Sequence, residues 1–227
     1  FACDHTYDAG ISVFPENRVI RNKTDLPEGI SDKEKWAIRE TQLNYRVGDI
    51  QFLLDEMEAG NYLPPSIRNN LALDNIGIFG HSFGGATSIV ASIKDDRIDA
   101  VLGLDAWFLP IPSGLINENM NKPFIHLGQV QWREKDNYLK LDTLASSNST
   151  QSLRLDVQGS SHYDFSDFSQ FSKVSKKYGS GTIASDRIRL IMNTTIRNFF
   201  DQNLKKSEAI SLTDYQSLYP EIIIKEY

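Results

Sequence analysis

Asn75-Ile76-Gly77-Ile78-Phe79-Gly80-His81-Ser82-Phe83-Gly84-Gly85-Ala86 is the stretch whose reading decides the fold. Asn75 to Phe79 is a short apolar run with β-branched and aromatic residues and predicts a buried central strand. Gly80, Ser82 and Gly84 then spell G-x-S-x-G, and Ala86 to Ile93 reads as a helix packed on the sheet. In that order, strand, tight turn and helix hold a serine on a strained elbow. Its hydroxyl is pushed out at the carboxyl end of the strand. Side chains at Gly80 and Gly84 are expected to collide with neighbouring backbone there, and glycine tolerates backbone angles that other residues avoid. The Phe83 amide is expected to point to where an oxyanion would form. A glycine-rich turn is the alternative for the bare pattern; the flanking strand and helix favour Ser82 as a nucleophile.

Outward from the elbow, strands and helices alternate. Toward the N-terminus, Phe1 to His5 reads as the end of a strand and residues 6 to 30 as an irregular loop. Ser31-Asp32-Lys33-Glu34 fits a capping box and starts a helix. Leu43, Val47, Ile50, Leu54 and Met57 mark its core-facing stripe, and Gly60 with Pro64-Pro65 ends it. Beyond the elbow, strands are expected at 100–106, 123–130 and 152–157, with a helix at 132–145. A loop covers 159–171, and a last helix starts at Ser185-Asp186 with Ile188, Ile191, Thr195 or Ile196 and Phe199 on one face. This alternation implies an α/β fold with a mostly parallel sheet flanked by helices. The N-x-[ST] patterns at Asn22, Asn148 and Asn193 are read as chance.

The length of 227 residues suits a single domain over 1–227. Hydrophobic residues make up 40% and charged residues 24%, the balance of an ordinary globular protein. A net charge of −6 with no long basic run argues against nucleic acid as a partner. Cys3 is the sole cysteine, which excludes an intrachain disulfide and fixes no compartment. No stretch approaches the roughly 18 apolar residues that span a membrane. No signal peptide is visible, but the chain opens at Phe1 without a Met.

A serine hydroxyl needs a base, and the base needs an orienting carboxylate. In this fold class the order is Ser, then Asp or Glu, then His. Of the four histidines, His5 precedes the elbow. His81 lies on the turn, where its ring should point away from the hydroxyl, and His126 fits a packed strand position. His162, in the loop after the last of these strands, is the candidate base. For the acid, Asp105 ends the strand after the elbow helix and is favoured. Asp136 is the alternative, because some related enzymes place the acid after the next strand. Asp136 and Asp142 are expected on a solvated helix and Asp156 exposed on a sheet edge. Asp164 and Asp167 follow His162 and are out of order.

Three segments resemble the plasma and intracellular type-two platelet-activating factor acetylhydrolase family of α/β-hydrolases. They are Gly80-His81-Ser82-Phe83-Gly84-Gly85-Ala86-Thr87, Leu104-Asp105-Ala106-Trp107-Phe108-Leu109-Pro110, and Gly159-Ser160-Ser161-His162-Tyr163-Asp164-Phe165-Ser166-Asp167-Phe168. The resemblance implies Ser82 as nucleophile, Asp105 as acid, His162 as base and the Phe83 amide as one oxyanion donor. It implies a calcium-independent esterase acting on short-acyl esters or phospholipids, with no metal or cofactor. Trp107 and Phe108 are candidates to line the acyl or leaving-group site, with core packing as the equal alternative. The family's second oxyanion donor lies in an upstream loop that has no counterpart before residue 75. The expectation is therefore a C-terminal portion of a larger hydrolase lacking its N-terminal strands, to which an extracytoplasmic location is open. Residues 1–5 should then make no ladder with 75–79. Two rival readings stand beside the esterase: a catalytically silent hydrolase fold used as a binding module, and a peptidase or thioesterase of the same fold.

Overall fold

The computed structural model describes residues 1–61, 63–171, 174, 178–208 and 212–227, with the side chains of 212 and 213 left aside. The chain divides into two compact units, Phe1–Leu71 and Ala72–Tyr227.

In the first unit, β1 (Ile11–Val13) and β2 (Val19–Arg21) pair antiparallel around a 3-10 turn at Pro15–Asn17. The irregular loop expected over 6–30 thus contains a hairpin. Its strands are only three residues long, and Ile11, Val13 and Val19 are exposed, so no alternation betrays them. Residues 1–5 form no strand, which corrects the reading of that segment. Helix α1 (Asp32–Ala59) begins at the expected capping box. The Ser31 hydroxyl accepts from the Glu34 N–H at 3.3 Å, and the Glu34 carboxylate accepts from the Ser31 N–H at 2.9 Å. Leu43, Val47 and Leu54 of its stripe are buried, while Ile50 and Met57 are half-buried. Gly60 ends the helix in the left-handed conformation, φ 65°, where a side chain would be strained. A short α2 (Pro65–Arg68) follows.

The second unit is built on a five-stranded sheet. Its elements, in order, are β3 (Ile76–His81), α3 (Phe83–Lys94), β4 (Ile98–Leu104), α4 (Ser113–Ile116), β5 (Phe124–Gln129), α5 (Asp136–Ser147) and β6 (Ser152–Val157). After a 3-10 turn at His162–Phe165 come α6 (Phe168–Phe171), α7 (Ser185–Lys205), α8 (Leu212–Leu218) and β7 (Ile222–Glu226). The strand order is β3-β4-β5-β6-β7, with the first four parallel and β7 antiparallel to β6.

The two faces of β4 separate by alternation. Gly103 looks toward Ile89 of α3, whereas Ala100, Leu102 and Leu104 join Leu127, Leu155, Ile188, Ile191 and Phe199 in one buried cluster under α7. Strands covered on both faces read as continuous apolar runs, which is why β4 and β5 were visible in the sequence. Tyr215, Tyr219 and Ile222 extend the α7 cluster, so α8 and β7 close the sheet on the far side. The pairing of β7 also corrects the placing of Asp156. It is not on an open edge but buried within a ladder, held by Arg154 through two bonds of 2.8 Å.

Register carries this architecture to the site. His81 pairs with Leu104, Leu104 with Leu127, and Gln129 with Val157. The carboxyl ends of β3, β4, β5 and β6 are therefore level, and the segments that leave them share one rim of the sheet.

Candidate active site

Ser82 takes φ 56° and ψ −118° between β3 and α3, a conformation side chains rarely adopt. Neighbouring backbone holds it there. The Ser82 N–H donates to the Leu104 carbonyl at 3.0 Å, and the Ser82 carbonyl accepts from Trp107 N–H at 2.9 Å and Ala86 N–H at 3.2 Å. Gly80 behaves as expected, since a Cβ there would lie 2.4 Å from the Gly84 carbonyl group. Gly84 does not: a Cβ there meets nothing within 4 Å. The second tight glycine is Gly85, whose Cβ would come 2.5 Å from the Ala106 Cβ and 2.9 Å from the Gly80 oxygen. Close approach of the elbow helix to the end of β3 and the loop after β4, rather than of Gly84 to the turn, sets the second requirement.

At the rim, three distant side chains meet. His162 Nε2 lies 3.0 Å from Ser82 Oγ, and His162 Nδ1 lies 2.7 Å from Asp105 Oδ2. With Nδ1 protonated toward the carboxylate, Nε2 is left to accept the Ser82 proton. Asp105 is fully buried and follows β4 with φ 40°. Its two oxygens take four donors: His162 Nδ1 and Gln129 Nε2 (2.9 Å) on one, Gln129 N–H (3.0 Å) and Trp132 Nε1 (3.0 Å) on the other. Burial by itself would raise its pKa. The bonds from His162 and Gln129, together with the positive influence of His126 and His162, outweigh that and hold the carboxyl below its ordinary value. Asp136 is exposed at the start of α5 and is not the residue that meets His162.

Two residues read as bystanders stand against this array. The His81 ring lies 4.5 Å from the His162 ring at 36°, and His81 Nε2 donates to the His162 carbonyl at 3.0 Å. Burial, reinforced by the neighbouring His162, pushes its pKa down to about 4. His126 is fully buried as expected, and its Nε2 accepts from the Ala106 N–H at 3.2 Å. Burial pushes its pKa down to about 4 as well. Trp132 and Gln129 were not singled out in the sequence. The helix expected from Trp132 starts only at Asp136, because the preceding residues turn so that the Trp132 indole reaches Asp105. Buried Asn137 fixes the loop after Asp105, accepting from Phe108 N–H at 2.7 Å and donating to the Ala106 carbonyl at 3.1 Å.

Of the two proposed lining residues, Trp107 is half-buried and packs edge-on to Phe83 at 5.5 Å. Phe108 has no exposed surface and packs beside His126, so it belongs to the core rather than to a substrate surface. Phe83 opens α3, and its backbone amide lies in the first turn of that helix. The loop bearing His162 is tied down by Asp164, whose carboxylate accepts from Ser161 N–H at 2.9 Å and Gly181 N–H at 2.6 Å.

Residues 28–214 match the family described as platelet-activating factor acetylhydrolase, isoform II. The chain belongs to that family. Platelet-activating factor acetylhydrolase of Gallus gallus is 32% identical over 102 residues, covering 45% of this chain and 24% of its own length. The Cavia porcellus acetylhydrolase is 23% identical over 174 residues, covering 72% of this chain and 39% of its own length. The chain thus spans well under half the length of these relatives. A ferulic acid esterase from Streptomyces cinnamoneus superposes with a TM-score of 0.75 at 24% identity, over 97% of this chain and 63% of that one. The fold is that of the α/β-hydrolases. Among the described residues no helix is long and apolar enough to cross a membrane.

Proposed function

We propose that this acetylhydrolase-family chain is a serine hydrolase of carboxylic esters, with Ser82 as nucleophile, His162 as general base and Asp105 as its orienting acid. The observation that carries the reading is the continuous relay from Ser82 Oγ through both nitrogens of His162 to a buried carboxylate, mounted on a strained elbow. Because the family match begins at residue 28 and ends at 214, we take both compact units as parts of one hydrolase domain.

The geometry supports the following chemistry. His162 Nε2 removes the Ser82 proton as Oγ attacks the ester carbonyl, and Asp105 stabilises the imidazolium that forms. The Phe83 amide donates to the oxyanion. The imidazolium then protonates the leaving alkoxide, leaving an acyl group on Ser82. A water activated by the same histidine attacks that acyl group and returns Ser82. The low pKa of His81 keeps it neutral, so no second positive charge opposes the imidazolium. Trp107, beside Phe83, is assigned to the acyl or leaving-group site. The substrate class is a short-acyl ester, phospholipid included, in keeping with the acetylhydrolase names of the relatives.

The test is a substrate profile on the full-length protein. Nitrophenyl acetate, butyrate and octanoate are compared with a short-acyl phospholipid, a thioester and a peptide amide. The proposal expects kcat/KM to be highest for acetate, to fall with chain length, and to extend to the phospholipid. Preference for the thioester or the amide would favour the rival enzyme readings, and no turnover of any substrate would favour a silent binding module.

A further inference from the structure

A base that serves both a nucleophile and a leaving group must be held to a fraction of an ångström, since a displacement of about 1 Å costs on the order of 100-fold in rate. His162 stands on a loop, with 28% of its side chain exposed. Its bonds to Ser82 and Asp105 are the very bonds that change during reaction, so they make poor anchors. Besides its chain neighbour Tyr163, two residues among those described make ring contacts with it, and neither is consumed by the chemistry.

The geometry points to His81 and Trp132 as a two-point clamp that sets the orientation of the His162 imidazole, an inference that rests on the hydrolase reading above. Each makes one ring contact with His162 and one polar tie beside it. His81 lies ring to ring at 4.5 Å and binds the His162 backbone carbonyl through Nε2 at 3.0 Å. Trp132 meets the imidazole edge-on at 5.0 Å and 70°, and binds Asp105 Oδ1 through Nε1 at 3.0 Å. One therefore fixes the backbone of the base and the other its acid partner. They also come from different parts of the sheet. His81 ends β3, and Trp132 follows β5. Both are positioning residues, since neither needs to touch substrate.

Phenylalanine at either position keeps a ring and deletes the N–H. His81→Phe and Trp132→Phe, in the full-length protein with nitrophenyl acetate, should each lower kcat about 10-fold, the effect of one lost hydrogen bond, with KM within two-fold. The double variant should lose less than the product of the two, because both act on one ring. His81→Gln, whose amide still donates, should recover most of the loss. A downfield proton resonance from His162 Nδ1 is expected in the wild type and should broaden or shift in both Phe variants. If His81→Phe fails to fold, Trp132→Phe and the resonance carry the test.

With an active wild type, kcat within two-fold in both Phe variants overturns the clamp. So does a raised KM at unchanged kcat, or a His81→Gln variant no better than His81→Phe. A wild type that neither turns over ester nor reacts at Ser82 overturns the hydrolase reading itself, and the clamp with it.

Discussion

Asp105→Asn changes one oxygen to an NH2 group at a fully buried position ringed by four donors. An amide accepts only at its oxygen. If that oxygen stays with Gln129 N–H and Trp132 Nε1, the NH2 group confronts Gln129 Nε2 and His162 Nδ1. His162 must then accept at Nδ1, which moves its proton to Nε2, and Nε2 can no longer take the proton of Ser82. The opposite orientation strands the other two donors. Each bond to a charged group contributes roughly 1.5 to 3 kcal/mol. Two such losses are about 3 to 6 kcal/mol, the same scale as the ~10⁴-fold fall in kcat expected when a triad base is held in the wrong tautomer. The assay is kcat on nitrophenyl acetate beside a thermal melt, so that activity and folding are read separately. A folded Asp105→Asn protein with kcat within ten-fold of wild type would refute the reasoning, and Asp136→Asn would be the next variant to measure.

Two further outcomes follow from the same contacts. Gly80→Ala should destabilise by about 1 to 3 kcal/mol and abolish activity, since its Cβ meets backbone at 2.4 Å, whereas Gly84→Ala, with open space around it, should melt as the wild type does; equal melting temperatures for the two would contradict this. His126 has a folded pKa of about 4 against an ordinary 6.5, so the unfolded chain binds more protons between those values. Stability is therefore full above pH 6.5 and falls as pH drops toward 4, by roughly 3 kcal/mol for this group, with His81 adding a loss of the same sign. His126→Gln should flatten that slope in denaturant titrations from pH 7 to 4, and an unchanged slope would count against the assignment.

What was legible in the sequence is local chemistry. The capping box at Ser31 and Glu34, the buried runs of β4 and β5, and the elbow around Ser82 each declare themselves within a dozen residues. Asp105 and His162 were singled out because chain order and strand ends restrict the choices, and the structure brings their side chains together. What escaped depends on partners far along the chain. Ile222 to Ile224 reads as a strand only once β6 offers an antiparallel edge. Asp156 reads as exposed until that strand covers it. Gly85 needs Ala106, Trp132 needs Asp105, and His81 needs the carbonyl of His162 before any of them acquires a role. The error over Gly84 is of the same kind. The motif marks the position, but only the packing of α3 against the loop after β4 shows which glycine has no room.

The central claim, that Ser82 is a nucleophile activated by His162, is tested most directly by treating the full-length protein with a serine-reactive phosphonate and locating the adduct by peptide mass. A single adduct on the peptide bearing Ser82 is predicted, absent in Ser82→Ala and formed far more slowly in His162→Ala. A folded protein whose Ser82 peptide stays unmodified, or whose labelling persists in Ser82→Ala, would contradict it.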